Sequence, residues 1–198
     1  MNFSLTEEHL MIQEAARDFA QTELLPGVIE RDNKQEFPDE LVKKMGALGF
    51  MGIMVDPKYG GSGMDAASYV IVMEELSKID ASASVIVSVN NSLVCYGLES
   101  YGNETQKQKY LTKLATGEFV GAFCLSEPEA GSDATSQATT AEDKGDHYLL
   151  NGTKNWITSG GRADVYLVIA QTDREKGHRG INAFIVEKGT AGFHVGPK

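Results

Sequence analysis

The hydrophobic period of the chain changes once, near Gly117, and that change limits the folds open to it. Before it, apolar residues recur at helical spacing. After it they form short β-rich runs separated by turn residues. Runs of helices followed by runs of strands point to an α+β organisation rather than alternating βαβ units. We therefore expect an all-α domain over 1–117 and a β domain over 118–198.

In the first half, Thr6 is placed to cap a helix, with Leu5 and Leu10 spaced as a hydrophobic staple. Met11, Ile12, Ala15, Ala16, Phe19 and Ala20 give its apolar face, and Pro26-Gly27 stops it. Pro38 suits the first turn of a second helix lined by Leu41, Val42, Met45 and Leu48. Asp65 caps a third, carrying Tyr69, Val72, Met73 and Leu76. Asn103 opens another that closes at Gly117. The segment ASASVIVSVNNSLVCYGLES (81–100) is rich in β-branched residues, yet it is as long as a helix and lacks a turn signal. It reads as a helix buried all round, in which Asn90 and Asn91 need partners.

In the second half, FVGAFCL, HYLLN, KNWIT, DVYLVIAQ and INAFIVE read as strands. Asn151-Gly152 is a two-residue hairpin signal. The expected architecture is antiparallel β, a barrel or a sandwich.

Composition narrows the function classes. With 18 Lys+Arg against 28 Asp+Glu the net charge is −10, which argues against nucleic acid or an anionic membrane as the main partner. The 41% hydrophobic and 23% charged content is that of an ordinary globular chain. Cys95 and Cys124 lie in apolar runs and read as buried thiols rather than a disulfide. Four histidines without paired Cys/His spacing give no metal site. MNFSLTEEHL is neither basic nor continuously apolar, so no signal or transit peptide is expected. No stretch holds the ~18 uninterrupted apolar residues of a membrane span. The N-x-S/T matches at Asn2, Asn90, Asn103 and Asn151 read as chance hits in a cytoplasmic chain.

Gly61-Ser62-Gly63-Met64-Asp65-Ala66 matches the dinucleotide fingerprint formally. That motif needs a strand running into its first glycine, and Pro57, Lys58, Tyr59 and Gly60 intervene. A glycine-rich turn before a helix is the better reading.

LSEPEAGSD (125–133) is harder to place. Ser126 and Ser132 have no nucleophile elbow around them. Glu127 and Glu129 need not share a face as an acid/base pair. On its own the stretch reads as a polar loop after a strand. A second stretch, KNWITSGG (154–161), adds the only tryptophan, a hydroxyl two residues on and a glycine-rich turn. A lone Trp is more often core than a cofactor wall. Together, though, an aromatic plate, hydroxyls and free amides suit a flat heterocycle with a polar edge.

LSEPEAGSD followed by NGTKNWITSGG resembles the paired signature of the acyl-CoA dehydrogenase family. The KYGGSG turn and the order of the two halves resemble that family's first two domains, over essentially the whole chain. The wording VSVNNSL and FCLSEP looks most like its short-chain, butyryl-CoA branch. The resemblance implies FAD held by Phe123 to Ser132, with Leu125, Ser126 and Gly131 along the pyrimidine side of the ring. It implies Trp156 and Ile157 against the ring, the Thr158 hydroxyl toward flavin N5, and Ser132 on the pantetheine arm. Ile86, Val89 and Leu93 would line a pocket for a short-chain acyl-CoA. Glu129 stands where the family often has a smaller residue, and is expected to face solvent. The resemblance also implies electron-transfer flavoprotein as acceptor and a homotetramer when full length. A bacterial cytoplasm fits better than a mitochondrial matrix.

The family's glutamate base lies in a C-terminal helical bundle absent from this sequence, which ends at GFHVGPK with the β domain incomplete. No acid here is nominated as base, and residues 1–198 alone are expected to be inactive. An acyl-CoA oxidase-like flavoprotein and a non-enzymatic acyl-CoA or protein-binding module stand as the alternatives.

Overall fold

The computed structural model describes residues 4–196. Asn2, Pro197 and Lys198 lie outside the described residues. The chain divides into two units, Met1–Val120 and Gly121–Lys198.

The first unit is helical. Helix α1 (Glu7–Phe19) starts at Thr6, whose hydroxyl accepts from His9 N while the His9 ring accepts from Thr6 N. This reciprocal cap satisfies two orphan donors. Leu5 and Leu10 stay exposed, so they bury nothing as a staple. Ala16, Phe19, Ala20 and Leu24 are buried instead, the last two in a π-helical continuation (Ala20–Leu24). Beyond Pro26-Gly27 comes a short helix the sequence reading lacks, α2 (Val28–Lys34). Arg31, which it carries, donates to Leu24 O, Pro26 O and Asp80 Oδ2 and so fixes the reversal. Pro38 is the N-cap of α3 (Asp39–Ala47) rather than its first helical residue.

Asp65 caps α4 (Ala66–Ser77) by accepting from Ser68 N. The glycine-rich turn ahead of it follows a 3₁₀ turn (Pro57–Tyr59), so no strand feeds the GSGMDA match. Gly61 is required there by close approach, since a Cβ would lie 2.1 Å from Val55 O.

The segment after Asp80 is helical throughout: α5 (Ala81–Ser88), a π segment (Val89–Cys95) and α6 (Tyr96–Tyr101). It is not buried all round, because Val85, Leu93 and Tyr96 face solvent. By length and composition the 21 residues Ala81–Tyr101, with a mean hydropathy of 1.3 over their most apolar stretch, could cross a bilayer, and half of that stretch is buried. Packing accounts for this apolarity. Asn90 Nδ2 donates to Met51 O (2.8 Å) and Leu114 O (3.1 Å). Asn91 accepts from Ile53 N (2.7 Å) and donates to Phe50 O (2.8 Å) and Val87 O (3.0 Å). The unit closes with α7 (Glu104–Gln106), capped by Asn103, then a π segment (Lys107–Leu111) and α8 (Thr112–Ala115). Gly117 follows at a φ of 75°.

The second unit is a five-stranded mixed sheet, open rather than a closed barrel: β1 (Gly121–Cys124), β2 (Thr140–Asp143), β3 (Tyr148–Asn151), β4 (Val165–Gln171) and β5 (Ile181–Glu187). The expectation of an antiparallel architecture is corrected. β1 runs parallel to β4, pairing Gly121 with Val165 through Cys124 with Val168, and Thr140 of β2 also meets Gln171 in parallel. β5 lies antiparallel along the whole of β4, so β1 and β2 share its other edge. The long connection from Leu125 to Asp164 permits this, because parallel neighbours need a crossover of about a dozen residues or more.

Two local readings change with it. The hairpin is β2–β3, turning at Lys144–His147, not at Asn151-Gly152. Gly152 is needed for close approach, since its Cβ would lie 2.3 Å from Thr139 Oγ1. KNWIT is loop, not strand. Both cysteines are free and buried, as the sequence suggests.

Candidate functional site

Just beyond β1 the chain makes a tight four-residue reversal. Glu127 N donates to Ala130 O (3.0 Å) and Ala130 N to Glu127 O (3.1 Å). Pro128 and Glu129 form its exposed tip, with proline in the position that suits its fixed φ. Glu129 therefore faces solvent. Asp133 then accepts from Thr135 N, Thr135 Oγ1 and Ser136 Oγ, and those bonds hold its carboxyl below the usual range.

The second loop, 152–164, has a long way to travel. It leaves β3 opposite Thr140, which pairs with Gln171 at the end of β4, and it must reach Val165 at the start of β4. On the way it is tied to the residues following β1. Asn155 N donates to Ser126 O at 2.8 Å. Lys154 Nζ donates to Leu125 O (3.0 Å), Glu127 Oε1 (2.6 Å) and Gln137 Oε1 (3.1 Å). The two stretches singled out in the sequence are thus joined.

The Lys154–Glu127 pair is deeply buried, with side chains 9% and 3% exposed. Burial pushes the Glu127 carboxyl up. Hydrogen bonds from Lys154, Thr139 and Ala138 outweigh it and bring the group down to about 2. Glu127 is therefore an ionised structural group, not a general acid. Cys124, at the end of β1, is no nucleophile either, since burial raises its thiol to about 12. Cys95 is pushed up by burial as well.

After Lys154 comes Trp156, 94% exposed at a φ of 58°. Burying such a side chain is worth ~1.5–3 kcal/mol or more, and the left-handed backbone costs ~1–2 kcal/mol. A free indole on strained backbone stabilises nothing in this unit. It is held there by its neighbours. Ile157 turns inward and packs on Ala122, Cys124, Ala163, Tyr166 and Val168. Ser159, also left-handed at a φ of 63°, has a carbonyl that accepts from Arg162 N and Ala163 N. Tyr166 OH clamps Gly160 O at 2.8 Å. Ser159 Oγ is buried without a hydrogen-bond partner.

Of the residues predicted from sequence, Phe123 is half-buried on β1, Leu125, Ser126 and Thr158 are half-buried on the joined loops, and Trp156 is exposed beside them. Ile157 is half-buried and packs against the sheet core. Gly131 and Ser132 are exposed past the reversal, and a Cβ at Gly131 would meet nothing within 4 Å. Ile86, Val89 and Leu93 belong to the helical unit. Ile86 is core, Val89 half-buried and Leu93 exposed, the last two on the π segment, where helical spacing no longer sets one face. Sequence reasoning missed Lys154, Asn155 and the role of Glu127. No local signal marks them, because Lys154 and Glu127 lie in polar stretches 27 residues apart and meet only in the folded chain.

The arrangement offers an indole plate, serine and threonine hydroxyls and open space beside Gly131. It carries no activated nucleophile, and no metal-binding cluster occurs among the described residues. It suits a planar ligand with a polar edge.

The model of the acyl-CoA dehydrogenase N-terminal domain matches residues 6–118, and that of the middle domain matches 122–198. The short-chain specific acyl-CoA dehydrogenase of Clostridium acetobutylicum is 48% identical over 196 residues, which cover 99% of this chain and 52% of that protein. The butyryl-CoA dehydrogenase of Megasphaera elsdenii superposes with a TM-score of 0.93 at 44% identity, over 97% of this chain and 51% of that one. A chain solved in a study of the electron transferring flavoprotein of Acidaminococcus fermentans gives 0.96 at 49%, over 100% of this chain and 52% of the other. The chain spans about half the length of the curated relatives it matches. On the two domain matches and these identities, the chain belongs to the acyl-CoA dehydrogenase family.

Proposed function

We propose that the whole protein is an FAD-dependent dehydrogenase of short-chain acyl-CoA thioesters such as butyryl-CoA. The observation that carries this reading is Trp156, an exposed indole on left-handed backbone, fixed beside Ser126 by the Asn155 hydrogen bond. When bound, FAD supplies the hydride acceptor for removing hydrogen across the Cα–Cβ bond. The chain's own residues hold and orient. Phe123, Leu125, Ser126 and Gly131 present backbone and hydroxyl groups to the polar edge of the ring. Trp156 covers a ring face from a loop that Ile157 pins to the core, and Thr158 adds a hydroxyl. Donors of this kind stabilise negative charge that grows on reduction.

Ser132 contacts the pantetheine arm. Glu127 is committed to Lys154, and Asp133 to Thr135 and Ser136. Neither is free to take a proton, and the family resemblance implies a glutamate of a C-terminal helical bundle as the base. Electrons pass to an electron-transfer flavoprotein, and the assembly is a homotetramer in a bacterial cytoplasm. Family membership and the bacterial relatives support these last assignments.

Anaerobic reduction of the bound flavin by acyl-CoA thioesters of graded length tests the reading. Butyryl-CoA should reduce it faster than octanoyl-CoA, with a graded fall because each methylene excluded is worth only ~1–3 kcal/mol. Faster reduction by octanoyl-CoA contradicts the short-chain assignment.

A further inference from the structure

We propose that Lys154 is a positioning residue that sets how strongly the Ser126 peptide binds flavin and tunes the flavin's reduction potential. The inference rests on the flavin-site reading given above. Lys154 Nζ does more than neutralise Glu127. Its bond to Leu125 O (3.0 Å) falls on the carbonyl of the peptide unit whose N–H belongs to Ser126. A cation on that oxygen polarises the unit and strengthens the N–H as a donor. The next carbonyl, Ser126 O, is held by Asn155 N at 2.8 Å. Both oxygens flanking the Ser126 residue are therefore fixed from the loop that carries Trp156.

The clamp is anchored behind the site as well. Glu127 accepts from Ala138 N and from Thr139 N (3.0 Å), and Lys154 reaches Gln137 Oε1 (3.1 Å). Two separate segments, at 125–127 and at Gln137, meet on one ammonium group. Burial matters here, because a buried pair is screened little by salt and orients its partners firmly. A pair serving only to stabilise the sheet has no need of the Leu125 carbonyl, and apolar replacements of similar volume often do that job as well.

The test uses the whole flavoprotein with two variants, the charge-removing pair K154M/E127Q and the charge-keeping K154R. K154M/E127Q leaves no uncompensated buried charge, so its far-UV circular dichroism should match wild type. FAD titration of the apoprotein should show affinity weaker by roughly ten-fold or more, the loss of about one charge-assisted contact. The flavin's reduction potential should move to more negative values, because the Ser126 donor is weakened. K154R should lie nearer wild type on both measures. Wild-type affinity and potential in K154M/E127Q overturn the proposal, as does loss of fold in both variants, which makes the pair structural only. A wild-type apoprotein that takes up no FAD sinks the flavin reading itself, a different failure.

Discussion

In the helical unit, the buried amides of Asn90 and Asn91 bind the carbonyls of Met51, Phe50, Leu114 and Val87, and so tie one helix to its surroundings. In the sheet unit, the buried charges of Lys154 and Glu127 bind loop backbone: Leu125 O, Ala138 N and Thr139 N. The first constellation is neutral and its bonds hold the core. The second is ionic, and what it holds leads to an exposed tryptophan. Burying charge is expensive unless it is paired and bonded, so a buried ion pair under a loop is weak support for stability and stronger support for a fixed geometry. Asn90 and Asn91 are there for the fold; Lys154 and Glu127 are there for the loops.

The largest effect should come from breaking the ionic constellation on one side only. Lys154→Met leaves Glu127 buried and unpaired, and should cost about 3–5 kcal/mol of stability. Chemical denaturation of the whole protein measures it. A cost near zero would mean that the glutamate finds water or protonates, and that the clamp is loose. Asn91→Ala should cost less, about 1–3 kcal/mol, because Ile53 N and the Phe50 and Val87 carbonyls lose a neutral partner. Flavin affinity should be far less sensitive to this change than to the loss of Lys154. Equal sensitivity would erase the contrast between the two constellations.

The helical unit was legible in the sequence wherever capping chemistry and apolar period agreed, as at Thr6, Asp65 and Asn103. The partners that Asn90 and Asn91 require were foreseeable from their burial. Helix α2 was not, since Val28–Lys34 buries no residue and leaves no apolar stripe to read. The sheet was legible as strands but not as a topology. The parallel pairing of β1 with β4 depends on a long connection whose path no local signal encodes. Asn151-Gly152 misled because the glycine there makes room for Thr139 rather than for a turn. KNWIT alternates like a strand, yet Trp156 and Ile157 face opposite ways in a loop, one to solvent and one to the core. The two site stretches were visible by residue type. Their junction through Lys154 and Asn155 was not, because it is a tertiary contact between distant segments.

The smallest expected effect on stability is also the most direct test of the central claim, that the joined loops display Trp156 to hold a flavin. Trp156→Ala removes a side chain that packs on nothing in the sheet unit, so the stability of the apoprotein should change by no more than about 0.5 kcal/mol. FAD retention through gel filtration, read from the flavin absorbance of the whole protein, should fall sharply in the same variant. An apoprotein of unchanged stability that loses its flavin agrees with the account. Unchanged retention and an unchanged flavin spectrum would contradict it and remove Trp156 from the site.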